Sequence, residues 1–103
     1  MADRRLQVFH AVVKHGSFTR AAEALFMSQS SVTFQIRQLE DEYRVRLLDR
    51  GPGPAVPTPA GEVVFEYAVR ILALFDELDA RMADLGDLMR GTLAVGASTA
   101  VAG

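Results

Sequence analysis

Residues 16–40, GSFTRAAEALFMSQSSVTFQIRQLE, decide the fold. They read as two short helices joined by a tight turn, the second opening with small polar residues instead of apolar ones. This is the pattern of a helix-turn-helix. Ser17 caps the first of the two, whose inner stripe is Phe18, Ala21, Ala22 and Leu25, with the alanines small enough for a close crossing. After Phe26 and Met27, Ser28 caps the second, and Val32, Ile36, Leu39 and Tyr43 form its apolar stripe. The opposite arc holds Ser30, Thr33, Phe34, Arg37 and Gln38. An ordinary solvated face would carry Lys and Glu instead, so an exposed Phe among Ser, Thr and Gln suggests a surface meant to be covered. A bulky residue at the Phe26 turn position adopts a left-handed backbone at some cost, and its ring is expected to pack against the following helix.

Working outward, Leu6, Phe9, Val12 and Val13 recur at helical spacing, giving a helix from about Asp3 to His15 that Gly16 terminates. On the other side, Leu47 and Leu48 start an extended segment, the GPGP run at residues 51–54 turns it, and Val56 returns it as a two-stranded wing. Thr58 and Pro59 supply an N-cap and first position for a further helix. In it Val64, Ala68, Ile71, Phe75, Leu78, Met82, Leu85 and Met89 are spaced alternately four and three apart, a coiled-coil seam. A helix over residues 59–90 would be about 48 Å long at roughly 1.5 Å per residue, longer than the three-helix body beside it. The seam therefore predicts a homodimer, since several large apolar residues would otherwise form an exposed patch. Leu93 and Val95, in GTLAVG, alternate like the start of a strand.

The whole chain of 103 residues has room for one small domain with an appendage. It has no Cys, which excludes a disulfide framework and a Cys-based zinc site. No run of about 18 apolar residues occurs, and MADRRLQVFH lacks a signal peptide's apolar segment, so a cytoplasmic protein without a membrane partner is expected. The net charge is −2, but its distribution is uneven. Residues 1–58 hold eight Lys/Arg against six Asp/Glu, and residues 59–103 hold three against seven. The basic excess thus sits with the helix-turn-helix, though +2 is a weak footprint for counterion release.

With these elements in order, the chain resembles the N-terminal part of LysR-type transcriptional regulators. The resemblance is carried by Phe9, GSFTRAAEAL (16–25), SQSSVTFQIRQLE (28–40), RLLDR (46–50), TPAG (58–61) and RGTLAVG (90–96). It implies a mainly α fold: a winged helix-turn-helix DNA-binding domain over 1–58 and a linker and dimerisation helix over 59–90. Residues 91–103 would be the start of a truncated effector-binding domain, or else a disordered tail. Ser98 and Thr99 match positions where the family often contacts its small-molecule effector, which would bind only through the remainder of that domain. Full-length relatives commonly assemble as tetramers.

The resemblance places DNA contacts at Gln29, Ser30, Ser31, Thr33 and Phe34, and residue chemistry agrees. The Gln29 amide can pair bidentately with adenine, and Thr33 can offer a hydroxyl to phosphate or a methyl to thymine. The helix N-terminus favours a phosphate near Ser28. Arg37 and Gln38 share the arc, and Arg50 at the wing base can reach the backbone. Three departures from the family stand out. Ser30 replaces a frequent Pro, Phe34 replaces a frequent Arg, and the wing tip of Gly51, Pro52, Gly53 and Pro54 lacks the Arg that often enters the minor groove.

Two other classes of function compete. A winged helix used only for protein interaction and dimerisation, without DNA binding, would suit the net acidity and the bare wing. An enzyme has little support: His10 and His15 are five apart, off a common helical face, with no acidic partner at metal-ligand spacing, and no nucleophile set or phosphate-binding glycine motif occurs. No cofactor is implied.

Overall fold

The computed structural model describes residues 4–49 and 51–95, of which 90–95 as backbone only. Element order is α1 (Arg4–His15), α2 (Phe18–Leu25), α3 (Gln29–Tyr43), β1 (Leu48–Asp49), β2 (Val56–Pro57) and α4 (Pro59–Val95). Two compact units result, residues 1–72 and 73–103, so α4 contributes to both.

In the first unit the apolar stripes meet. Val8, Phe9, Ala11 and Val12 of α1, Ala21 and Ala22 of α2, and Val32, Ile36 and Leu39 of α3 form one buried core with Leu47 and Leu48. The ends of these helices are fixed by the groups the sequence offers. Gly16, at φ +66°, lets its N–H turn back to the Val12 carbonyl at 2.8 Å and so ends α1. Ser17 Oγ accepts from Arg20 N at 3.1 Å to begin α2. Ser28 Oγ accepts from Ser31 N at 3.1 Å to begin α3.

Two non-glycine residues take left-handed backbone. Phe26 (φ 57°, ψ 43°) closes α2, its N–H directed to the Ala22 and Glu23 carbonyls, and Met27 N follows to the Ala22 carbonyl at 2.9 Å. Arg44 (φ 54°) closes α3 with its N–H on the Glu40 carbonyl. The Phe26 conformation is as the sequence suggested, but its ring does not pack against α3: it is 96% exposed. The positive φ aims the side chain out of the turn, where no neighbour reaches it.

The wing is a minimal antiparallel ladder, Leu48 opposite Pro57 and Asp49 opposite Val56. Such a short ladder cannot stand alone, and three attachments hold it. Ala55 N donates to the Gly16 carbonyl at 2.9 Å. Thr58 N donates to the Leu47 carbonyl at 3.0 Å, and Thr58 Oγ1 donates to the Arg46 carbonyl at 2.6 Å while accepting from Gly61 N at 3.0 Å. The cap of α4 is therefore also the clasp of the wing. Gly61 is required at this crossing, since a Cβ there would lie 2.0 Å from the Leu47 carbonyl oxygen.

Three expectations change. Tyr43, assigned to the buried stripe of α3, is 57% exposed at the rim of an open apolar hollow that also has Leu6, Val63 and Tyr67. The helix ends there and the core has already passed under Leu39. Ala68, assigned to the dimer seam, is completely buried within its own chain, because the first turns of α4 lie on the N-terminal body through Ala60, Val64 and Phe65. Residues 91–95 continue α4 as helix, so Leu93 and Val95 do not begin a strand. Extending an existing helix adds a hydrogen bond per residue, whereas two alternating residues have no neighbouring strand to pair with. Ser98 and Thr99 lie outside the described residues.

Candidate nucleic-acid interface

The leading turn of α3 presents polar groups to solvent because its apolar residues start only at Val32. Ser28, Gln29, Ser30 and Ser31 are exposed, as are Phe34, Arg37 and Gln38 farther along, while Thr33 is half-buried. Ser28 is occupied as the cap. Besides accepting from Ser31 N, its hydroxyl donates to Ser31 Oγ at 2.8 Å and lies 3.3 Å from Ser30 Oγ. The three serines thus form a linked cluster at the positive end of the α3 dipole, where an anion is favoured.

Gln29 is positioned from outside its own helix. Thr19 Oγ1 on α2 donates to Gln29 Oε1 at 3.3 Å, which leaves the amide NH2 as the outward donor and one lone pair of Oε1 open. Sequence reading missed Thr19. The Ser17 cap places Thr19 in the first turn of α2, but that it meets Gln29 follows from how α2 and α3 cross.

Gln29, Ser30, Thr33 and Arg37 line one shallow hollow along α3. Gln29 and Thr33 also border a wider open cleft completed by His15, Thr19 and Arg20 beside α2 and by Asp49, Gly51, Gly53 and Pro54 of the wing. Four of the assigned contact residues, Gln29, Ser30, Thr33 and Arg37, are therefore brought together along α3, and Phe34 and Gln38 are exposed on the same helix. Arg50 lies outside the described residues. Phe34 is 58% exposed and offers an apolar edge within this polar surface.

In α4 the assigned seam divides in two. Val64, Ile71 and Phe75 are half-buried and Ala68 is buried, while Leu78, Met82, Leu85 and Met89 are 49–58% exposed. Leu74 and Leu88, outside the assigned seam, are each 62% exposed and widen the apolar surface. No described helix is long and apolar enough to cross a membrane.

Comparison with known proteins agrees with this architecture. A probable RuBisCO transcriptional regulator of Cyanidioschyzon merolae is 43% identical over 97 residues, 94% of this chain and 32% of that protein. The RuBisCO operon transcriptional regulator of Allochromatium vinosum is 41% identical over 98 residues, 95% of this chain and 32% of that protein. The chain thus spans about a third of the length of these curated relatives. Among solved structures, the BenM_DBD/catB site 1 DNA complex superposes with a TM-score of 0.79 at 36% identity, covering 84% of this chain and 97% of that one. The family model for bacterial regulatory helix-turn-helix proteins of the lysR family matches residues 4–62, more than half of the sequence, and with the winged helix-turn-helix now described the chain belongs to the LysR family.

Proposed function

We propose that this chain is the DNA-binding part of a cytoplasmic transcription regulator and recognises a specific double-stranded sequence by inserting the leading turn of α3 into the major groove. The observation that carries the reading is the uncovered polar face of α3, in which Gln29 is oriented by Thr19 and lies in line with Ser30, Thr33 and Arg37. Crystal structures of related domains in complex with DNA support it.

In this reading Gln29 and Thr33 read base edges, Ser28, Ser30, Ser31 and Gln38 serve phosphates and nearby bases, and Phe34 meets thymine methyls. Arg37, with Arg50, neutralises phosphate. The exposed stripe of α4, Leu78, Met82, Leu85 and Met89, joins two protomers, and the two-fold axis requires an interrupted inverted repeat. Effector control and tetramer assembly belong to the longer protein.

Selection of bound oligonucleotides from a random pool followed by a titration of salt tests the proposal. Gln29→Ala is expected to cost about 1–3 kcal/mol on the selected site and to relax its sequence preference, whereas Arg37→Ala weakens all duplexes alike. Equal loss on selected and random duplexes for the Gln29 change overturns its role as a base reader. Affinity indifferent to salt overturns DNA binding itself.

A further inference from the structure

At the far end of α3 a second hollow is lined by Arg37, Glu40, Asp41, Arg44, Val45 and Arg46. Arg37 belongs to this hollow and also to the one containing Gln29, Ser30 and Thr33, so the two surfaces are continuous along the helix. We infer that Arg44 and Arg46 extend the contact surface of α3 as a second phosphate-binding strip, taking the backbone of the same duplex that the leading turn enters. The inference rests on the DNA-binding reading above and adds two residues to it.

Spacing supports one continuous track. Within α3, Ser30 and Arg37 are seven residues apart, which at about 100° per residue returns them to within roughly 20° of one another, some 10 Å apart along the axis, and Arg44 follows at the C-cap, where it lines the second hollow together with Arg37. Arg37, Arg44 and Arg46 are all exposed, and none of the three guanidinium groups takes part in an ion pair among the described residues. The acids of the hollow do not cancel them. Glu40 is buried and its Oε2 accepts from Leu47 N at 2.9 Å and Leu48 N at 3.4 Å, which draws the carboxylate inward. Asp41 is exposed and opposes an anion, leaving three cations against one solvent-facing acid. Arg44 also occupies the left-handed C-cap of α3, where Gly or Asn would fit without strain. A cationic side chain at that position is favoured by the negative end of the α3 dipole, and, exposed and without an ion pair among the described residues, its guanidinium is available to a phosphate.

The test uses the intact chain, the selected duplex and a random duplex of equal length, with affinity measured against salt. The double variant Arg44→Gln with Arg46→Gln keeps the backbone donors and acceptors of the turn. Loss of two phosphate contacts is expected to reduce the slope of log K against log salt by about 1.8, at roughly 0.9 per contact, with the same fold loss of affinity on both duplexes. Asp41→Asn, which leaves the arginines in place, is expected to tighten both duplexes, and this second variant keeps the proposal open to refutation if the double variant unfolds. An unchanged slope in a folded double variant, or no gain from Asp41→Asn, overturns the strip while leaving DNA binding intact. A wild-type chain with no salt-dependent binding overturns both readings. If the double variant instead dissociates the dimer and keeps the wild-type slope, the arginines serve an acidic protein surface and the inference falls.

Discussion

Helix α3 and the part of α4 beyond Leu72 carry apolar residues at similar helical intervals, yet they dispose of them in opposite ways. In α3 the stripe of Val32, Ile36 and Leu39 is covered by α1 and α2, and what remains outside is mostly hydroxyl, amide and charged groups, interrupted by Phe34 and by Tyr43 at the helix end. In α4 the stripe of Leu78, Met82, Leu85 and Met89 is left half or more exposed, and Leu74 and Leu88 add to it. Periodicity reveals which side chains share a face; it does not reveal what covers that face. A polar exposed surface suits a hydrated, charged partner, whereas hydrocarbon in water is relieved only by other hydrocarbon. One chain thus offers two unfilled surfaces whose chemistry selects different partners.

The sharpest way to break this contrast is to put charge into the second surface. Each seam side chain that becomes buried contributes about 1.5–3 kcal/mol, so Leu78→Asp with Leu85→Asp, affecting four side chains per dimer, removes at least about 6 kcal/mol. Sedimentation at tens of micromolar is expected to show monomer, with the melting of the N-terminal unit unchanged. A dimer that survives both substitutions means the exposed stripe is not the joint. Ala68→Asp is the control, because it places a charge in the interior of the first unit and is expected to unfold that unit instead.

A smaller effect tests how firmly the covered side of α3 is tied down. The Glu40 carboxylate is the one buried polar or charged side chain among the described residues, and it receives the Leu47 and Leu48 amides as the chain leaves α3 for the wing. Glu40→Ala leaves those donors without their charged acceptor and is expected to cost about 1.5–3 kcal/mol in urea unfolding. A loss below about 0.5 kcal/mol would show that water satisfies the turn equally well.

The same residue shows where sequence reading stops. Caps were legible at Gly16, Ser17, Ser28 and Thr58 because a cap is settled within a few residues of backbone. Glu40 was visible only as part of a family motif, since nothing in its spacing announces that its carboxylate will meet amides seven and eight residues later. Ala68 and Tyr43 were misplaced for a related reason: helical phase put each on the right stripe but did not show how far the covering body reaches, which stops short of Tyr43 and extends under Ala68. In the candidate site, the α3 residues followed from phase and polarity, whereas Thr19 depended on the crossing of two helices. Residues 91–95 were misread because a two-residue alternation is too short to compete with a helix already under way.

Phe26 contrasts with both surfaces, being a large apolar group that neither the fold nor a periodic stripe accounts for. Left-handed backbone costs a bulky residue about 1–2 kcal/mol, and a ring 96% exposed returns almost nothing by burial. Phe26→Asn, which tolerates that backbone, is expected to stabilise the first unit by about 1 kcal/mol, or roughly 4–8 °C in Tm. Destabilisation would mean that the ring finds a partner in solution.

The mildest perturbation is pH, and it separates the two units through His10. The imidazole stacks on Phe65 with ring centroids 5.2 Å apart and planes within 9°, joining α1 to the opening turns of α4 inside the first unit. Burial, with Lys14 and His15 as nearby cations, lowers its pKa from the ordinary 6.5. The unfolded chain therefore binds this proton more readily than the folded one. Stability is unaffected by His10 well above pH 6.5, declines as pH falls below 6.5, and levels once the residue is protonated in both states. Subtracting the pH profile of a His10→Phe variant, which cannot titrate there, isolates this decline from that of the carboxylates. The difference is expected in the melting of the first unit and absent from the dimerisation constant, because the histidine lies on neither exposed surface of the comparison. A dimerisation constant that follows His10 would place the α1–α4 contact within the joint between protomers and merge the two surfaces.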